Sequence, residues 1–259
     1  MKLLNLNICI KLDNIKEVKD FLSNDNADIV AIQEAMHGVE DSCFPMYCSE
    51  NELIKLEKYP SHAFAPLFIA SGVTKNGEMT RDFGGKAEQG TLLLSKYEIK
   101  EHTNEFYYNE YRYEYDATNF RKEDWCRSIQ NAILKVNGKE LQVINVHGIW
   151  NEGKVGDDRT ISQSEFILSK IRKDIPSIVV GDFNLLPETE SIHLLDRELT
   201  NLIKKYDIKS TRPHFDDGLD RGNLVCDYIF VNDLVKVNHL EVIESNVSDH
   251  LPILLDFEI

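Results

Sequence analysis

Positive charge is scarce in this chain. Its 259 residues carry 29 lysines and arginines against 44 aspartates and glutamates, a formal net charge of -15. Such a surface repels polyanions at long range and excludes broad, non-specific capture of nucleic acid by a basic face. It leaves room for a phosphate ligand, because a bound divalent cation reverses the local sign. Cysteine is also sparse. The five residues, Cys9, Cys43, Cys48, Cys126 and Cys226, are scattered and odd in number, with no Cys-x-x-Cys pair. Neither a zinc ribbon nor a disulfide framework is indicated, and a reducing cytoplasm is the expected compartment. No apolar run is long enough to cross a bilayer, and Met1 to Ile8 is too short and too polar for a signal peptide. No membrane contact is expected. Internal repeats, low-complexity tracts and linkers are missing as well. One domain, 1–259, and a monomer are therefore expected, with 42% hydrophobic residues to build its core.

What is present is organised around Ile178-Val179-Val180-Gly181-Asp182-Phe183-Asn184. A run of β-branched residues reads as a buried strand, and it ends in a carboxylate and an amide two positions apart. Residues i and i+2 of a strand project to the same side, so Asp182 and Asn184 share a pocket if the extended conformation persists through Asn184. The plain alternative is a loop cap and a turn.

The pattern recurs along the chain. Residues 2–10 read as a strand with Asn5 and Asn7 on one side. Asp13 or Asn14 can cap a helix carrying Ile15, Val18, Phe21 and Leu22. Residues 28–34 form a second strand ending in Gln33 and Glu34, which makes a βαβ-like opening. Helices are expected at 49–58, 157–172 and 187–195, with an extension of the last to Leu202 as the alternative. Gly72 to Gly85 reads as a long loop or hairpin end. Residues 106–125 crowd Phe106, Tyr107, Tyr108, Tyr111, Tyr113, Tyr115, Phe120 and Trp125 into a polar segment, read as a β-hairpin with aromatic cross-strand pairs. The other reading is a loop that stacks on a planar group. Asn137-Gly138 between 128–136 and 141–146 is a hairpin turn. The strand after it ends at His147, and later strands lie at Asp227 and behind Ser248-Asp249-His250.

Singly, these polar strand ends have structural explanations: a satisfied core histidine, a cap, a turn. Together they repeat one arrangement, an apolar strand followed by a carboxylate, amide or imidazole. Open α/β sheets place ligands outside the carboxyl ends of their strands. Oxygen donors without cysteine suit Mg²⁺ or Mn²⁺ rather than zinc. Histidines beside carboxylates can be tuned for proton transfer. This is equipment for metal-assisted phosphoester hydrolysis.

The set resembles the endonuclease/exonuclease/phosphatase superfamily of DNase I-like nucleases, apurinic-site endonucleases, sphingomyelinases and inositol-polyphosphate phosphatases. The resemblance runs from Leu4-Asn5-Leu6-Asn7-Ile8 through Ile32-Gln33-Glu34, Asn145-Val146-His147, Gly181-Asp182-Phe183-Asn184 and Asp227-Tyr228-Ile229-Phe230 to Ser248-Asp249-His250. It implies an α/β (α+β) fold, a four-layer sandwich of two packed mixed β-sheets flanked by helices. It implies roles too. Glu34 would be the principal metal ligand, helped by Asn7 and Asp249. Asp182 would align or deprotonate the attacking water, and Asn184 would hold a phosphate oxygen. His250 would sit on the scissile phosphate, oriented by Asp227. His147 would hydrogen-bond or protonate the leaving group, with Glu88 placed like the glutamate that partners this histidine in DNase-like members. Cys9 stands where other branches keep an acidic residue, which argues against a second metal contact there.

The implied activity is that of a Mg²⁺- or Mn²⁺-dependent phosphodiesterase or phosphatase, with nuclease activity as one form. The substrate class is open among nucleic acid, nucleotide and small phosphodiester. Arg127, Arg212 and Arg221 are candidate phosphate contacts. The reading from another class is a non-catalytic phosphate- or nucleic-acid-binding module on the same fold.

Overall fold

Strand β1 (Lys2–Asn7) shows how the sequence builds the architecture. Its side chains alternate between two environments, as a strand's must. Leu4 and Leu6 pack against Val18 and Leu22 of α1 (Ile15–Asn24) and Leu53 of α2 (Ser49–Leu53), while Leu3 enters a different core. That second core lies between two sheets. The computed structural model describes residues 1–9, 14–75, 78–114, 125–213 and 224–259.

From β1 the chain passes through α1 into β2 (Ile29–Gly38), which pairs with β1 in parallel. The βαβ-like opening is thus present. Asn14 occupies the N-cap position of α1 without a side-chain cap bond; its amide donates instead to the Ile8 and Val247 carbonyls. Asp13 lies outside the described residues.

Next come β3 (Ser61–Lys75) and β4 (Glu78–Ser95), then β5 (Glu98–Tyr108), β6 (Arg112–Glu114), β7 (Arg127–Val136) and β8 (Lys139–His147). Helix α3 (Asp158–Lys170) leads to β9 (Ser177–Asp182). Then α4 (Glu190–Glu198), β10 (Thr200–Asn201) and α5 (Leu202–Lys205) precede β11 (Asp227–Val231), β12 (Lys236–Val242) and β13 (Ile253–Glu258). Among the described residues the strands form a seven-stranded sheet, β12-β13-β1-β2-β4-β3-β6, and a six-stranded sheet, β10-β11-β9-β8-β7-β5. Both are mixed, with parallel pairs β1/β2 and β3/β6 in one and β8/β9 in the other. Helices α1 and α2 cover the first sheet, and α3, α4 and α5 lie against the second. The expected sandwich of two mixed sheets flanked by helices is the observed fold.

Several local expectations are corrected. Among the described residues, β5 and β6 of the 106–125 segment do not pair as a hairpin: β5 belongs to the six-stranded sheet and β6 to the seven-stranded one, while residues 115–124 lie outside the described set. Aromatic content marked strand character but could not say which sheet each strand joins. Of the two readings of 72–85, the hairpin end is the one observed, with β3 and β4 paired as far as Lys75 and Glu78, and the long loop is set aside. The helix expected over 49–58 stops at Leu53. The segment to Leu202 breaks into α4, β10 and α5. Asn137-Gly138 behaves as read: both residues have positive φ, 50° and 86°, as the tight hairpin turn requires.

Between the sheets runs a chain of fully buried amides. Gln33 Nε2 donates to Asn5 Oδ1 at 2.9 Å and to Asn145 Oδ1 at 2.7 Å. Asn145 Nδ2 donates to Gln130 Oε1 at 2.9 Å and to the Ile32 carbonyl at 3.1 Å. Gln130 passes the link on to the Ala63 carbonyl at 2.7 Å. Polar side chains in a dry core are tolerated when they satisfy one another. Most of these groups do, Asn5 Nδ2 and Gln33 Oε1 being the buried atoms left without a partner, and the bonds fix one sheet against the other immediately behind Asn7, Glu34 and His147.

Candidate active site

Three neighbouring strands of the six-stranded sheet bring their polar ends into one row. In the β8/β9 and β9/β11 registers, Asp182 pairs with His147 on one side and with Asp227 on the other. Gly181 makes this row close. A Cβ there would lie 1.9 Å from the Val146 carbonyl oxygen, and its φ is +146°, a backbone that side chains disfavour. The seven-stranded sheet supplies Asn7 and Glu34 from its parallel pair β1/β2. The segment before β13 supplies Asp249 and His250. It is tied to β1 by the Ser248 hydroxyl, which donates to the Asn7 carbonyl at 2.6 Å.

The side chains meet. Asn7 Nδ2 donates to Asp182 Oδ2 at 3.1 Å and to Glu34 Oε1 at 3.4 Å. His250 Nδ1 lies 2.9 Å from both oxygens of Asp227, and His250 Nε2 lies 3.6 Å from Asp182 Oδ2. His147 Nε2 stands 3.9 Å from Glu34 Oε1. Asp227 also accepts the Thr211 hydroxyl at 2.7 Å, which leaves it held from two directions.

Two expectations about local shape are revised. Glu34 is not at a strand end. It sits inside β2 at a break in the β2/β4 register, between Ile32 and Ala35, with φ +60°. Such a bulge re-aims a side chain, here out of the sheet and into the pocket. The extended backbone does not persist through Asn184, whose φ is +56°. The chain turns there, and Asn184 N–H donates to Asp182 Oδ1 at 2.8 Å. Left-handed backbone at non-glycine residues is uncommon and clusters where function fixes it.

Of the candidates read from sequence, Asn7, Glu34, His147, Asp182, Asn184, Asp227, Asp249 and His250 line this one pocket. The others stand differently. Glu88 accepts the Tyr111 hydroxyl at 2.6 Å, while His147 Nδ1 is buried without a hydrogen-bond partner. Glu88 therefore does not hold His147. Arg127 is not a surface contact: it is 2% exposed, and its Nε and Nη1 donate to the Gly148 and Cys126 carbonyls. Arg212 is engaged by Asp249, with Nη1 2.8 Å from Oδ2 and 2.6 Å from the main-chain oxygen. Arg221 lies outside the described residues.

Sequence reading missed Lys154, whose Nζ donates to Asn184 Oδ1 at 2.5 Å. It also missed the hydroxyl of Thr211 as the clamp on Asp227. Lys154 lies in a turn with no hydrophobic period; its only signal was its position shortly after the His147 strand.

Electrostatics separates the two histidines. Burial works against a charged His250, but the Asp227 and Asp182 carboxylates overcome it and raise the imidazole well above its ordinary pKa. Burial lowers His147, and the charges of Arg127, His250 and Lys154 press it further the same way. One ring thus keeps its proton and the other stays neutral. Burial likewise opposes ionisation of Asp227, but His250, Arg212 and the Thr211 hydroxyl hold its carboxyl low.

The Cys226 thiol lies against this cluster, with ligand atoms of Asp182, Asp227 and His250 within 4.8 Å of it and of one another. Burial and the neighbouring carboxylates raise its pKa, which keeps it a thiol rather than a thiolate ligand. The oxygen donors are elsewhere. Glu34 faces the pocket beside Asn7. Asn7 Oδ1 accepts one hydrogen bond, from Cys9 N–H at 3.0 Å, and so retains acceptor capacity. Asp249 keeps one buried oxygen, Oδ1, without a hydrogen-bond partner. An all-oxygen set with an unspent buried carboxylate oxygen fits a hard divalent cation.

A two-sheet sandwich whose strand ends gather carboxylates, amides and histidines in one pocket defines a phosphoesterase-type scaffold. The chain belongs to the Endonuclease/Exonuclease/phosphatase family, whose model matches residues 5–250. This family hydrolyses phosphoester bonds in general and typically employs a divalent metal. No curated protein matches the chain in sequence. Solved structures match it in fold. An endonuclease/exonuclease/phosphatase from Beutenbergia cavernae aligns with TM-score 0.74 and 13% identity, over 100% of this chain and 71% of that one. A family protein from Leptotrichia buccalis aligns with TM-score 0.69 and 18% identity over 100% of both chains. A mannosyl-6-phosphatase from Bacteroides thetaiotaomicron gives TM-score 0.68 and 15% identity, again over 100% of both. Among the described residues no helix is long and apolar enough to cross a membrane.

Proposed function

We propose that the protein is a Mg²⁺- or Mn²⁺-dependent phosphoester hydrolase in which water attacks phosphorus in line with the leaving group. The observation that carries this reading is the His250 imidazole clamped by Asp227 at 2.9 Å while its other nitrogen lies 3.6 Å from Asp182. A protonated ring and a carboxylate side by side in a buried pocket are a charge stabiliser and a base in working proximity.

Glu34, Asn7 and Asp249 would hold the cation. When bound, it neutralises charge on the phosphoryl oxygens and orients the ester. The remaining work belongs to the chain's own groups. Asp182 aligns the water and takes its proton. His250, kept cationic by Asp227, donates to a phosphoryl oxygen as negative charge grows there. The Asn184 amide steadies another oxygen. His147 is neutral in the resting site, so its part is a hydrogen bond near the leaving group, and the resident proton is on His250. The mannosyl-6-phosphatase likeness supports a phosphoester substrate but does not choose among diester, monoester and nucleic acid.

The test is a panel of single-stranded and duplex DNA, RNA, nucleotides, sugar and inositol phosphates, and phosphodiester lipids, each with Mg²⁺, Mn²⁺ or EDTA. Metal-dependent turnover of at least one class, lost in Asp182→Asn, is the expected result. Normal turnover by Asp182→Asn, or none by the wild type on any class, would overturn the reading.

A further inference from the structure

Lys154 is a cation that the mechanism above leaves unused. It is half-buried in the turn between β8 and α3. Its ammonium donates to Asn184 Oδ1 at 2.5 Å. An ammonium has donors only, so the atom it contacts is the amide oxygen. The NH₂ group of Asn184 is thereby fixed on the other side, where its acceptor among the described residues is the Gly148 carbonyl at a long 3.4 Å. That leaves the group able to donate to a ligand.

The lysine is held in place. Its φ is +56°, and this left-handed backbone is braced by Lys154 N–H to the Asn151 carbonyl at 3.2 Å and by Leu186 N–H to its own carbonyl at 2.9 Å. Non-glycine residues keep such a backbone only where their surroundings impose it.

Its pairing is also unusual. The chain carries a net charge of -15, and carboxylates are abundant. Yet among the described residues Lys154 has an amide partner and no carboxylate. Arg127, buried nearby, likewise donates to main-chain carbonyls, one of them Gly148. The pocket therefore has two sides. Glu34, Asp182 and Asp249 form the anionic one. Lys154 on Asn184 and Arg127 on the Gly148 carbonyl form the cationic one, and neither makes a direct contact with a carboxylate among the described residues, although Arg127 feels the charges of Glu34 and Asp182.

We propose that Lys154 binds the second negative charge of a terminal phosphoryl group, so that the site prefers phosphomonoesters to internal phosphodiesters. This rests on the hydrolase reading. A diester carries one charge on phosphorus, whereas a monoester near neutral pH carries nearly two, its second pKa being about 6. An ammonium beside the phosphate-binding amide rewards the extra charge through a charge-assisted hydrogen bond.

The test compares p-nitrophenyl phosphate with bis-p-nitrophenyl phosphate in Mg²⁺ for wild type, Lys154→Gln and Lys154→Arg. Binding of inorganic phosphate is measured by calorimetry on the same proteins. Wild type should favour the monoester in kcat/KM. Lys154→Gln should lose about tenfold or more on the monoester, mainly through KM, with a much smaller loss on the diester. Lys154→Arg should recover part of the loss, and phosphate binding should weaken about tenfold in Lys154→Gln. Equal losses on both esters, or unchanged phosphate binding, would show that Lys154 only braces Asn184 and would overturn the proposal. If wild type turned over neither ester nor any other substrate, the hydrolase reading would fall. Phosphate calorimetry would then still decide whether Lys154 anchors the anion.

Discussion

Gln33 and Asn145 join the two sheets by one hydrogen bond, 2.7 Å from Nε2 to Oδ1, with both side chains fully buried. Each is adjacent to, or two residues from, a group that lines the pocket: Glu34 follows Gln33, and His147 lies just beyond Asn145. The core link and the site are therefore one construction. Asn145→Leu would leave the Gln33 and Gln130 amides without their shared partner. A stability loss of about 1–3 kcal/mol in urea unfolding is expected. An unchanged midpoint and slope would mean that the amide chain is not what fixes the sheets.

Three substitutions test the chemistry separately. Glu34→Ala, Asp182→Asn and His250→Ala should each lower kcat on the best substrate by at least ~10² to 10³. Circular dichroism should stay close to wild type, because the pocket side chains contribute little apolar packing. Activity retained in any one of them would remove that residue from its assigned role.

The two histidines should titrate on opposite sides of an ordinary imidazole in the metal-free protein. His250 is raised, so its ring signals in NMR should remain those of the cation through neutral pH. His147 is lowered, so its signals should remain neutral until well below 6.5. Linkage gives the signs. The unfolded chain binds a proton at position 147 more readily than the native one does, so stability falls as pH drops below about 6.5. The contribution of His250 is fully present below about 6.5 and is lost as pH rises through its folded value. His147→Phe should flatten the slope just below about 6.5, leaving the loss at lower pH that comes from the held-low Asp227 carboxyl.

Metal binding should be visible without turnover. At a hundredfold excess over Kd, a cation held only by the folded state stabilises by about 2.7 kcal/mol. Mg²⁺ should therefore raise the melting temperature of wild type, and EDTA should reverse the rise. Glu34→Ala should show no rise. A shift of equal size in Glu34→Ala would place the cation elsewhere.

Gly181 and Gly138 offer a matched comparison. A Cβ on Gly181 would meet the Val146 carbonyl at 1.9 Å, whereas one on Gly138 would meet nothing within 4 Å; both glycines have positive φ. Gly138→Ala should cost about 1 kcal/mol, from backbone conformation alone. Gly181→Ala should cost well more and should also disturb activity, because the clash lies between Asp182 and His147. Denaturation midpoints and kcat for the two variants decide it.

Much of the site was legible in the chain itself. Alternation in β1 and short apolar runs in β2, β8, β9 and β11 located these strands, and the polar groups closing them stood out because cores avoid such groups unless they are paired. Asn137-Gly138 specified its turn through local backbone preference. Other features carried no local signal. Glu34 read as a strand end because a bulge appears only when a partner strand is in register. Arg127 read as a surface contact because burial of a guanidinium depends on which elements close over it. Glu88 read as the partner of His147 from its place before a strand, whereas the fold gives it to Tyr111.

Sequence alone thus determined the chemical inventory and its order along the strands, since both follow from residue type and short-range periodicity. Tertiary structure decided the pairings: Gln33 with Asn145, Asp227 with His250, Lys154 with Asn184. Those contacts join positions separated by 112, 23 and 30 residues. Packing of one sheet on the other brings the first two pairs within hydrogen-bond range, and the pairing of β8 with β9 inside one sheet brings the third.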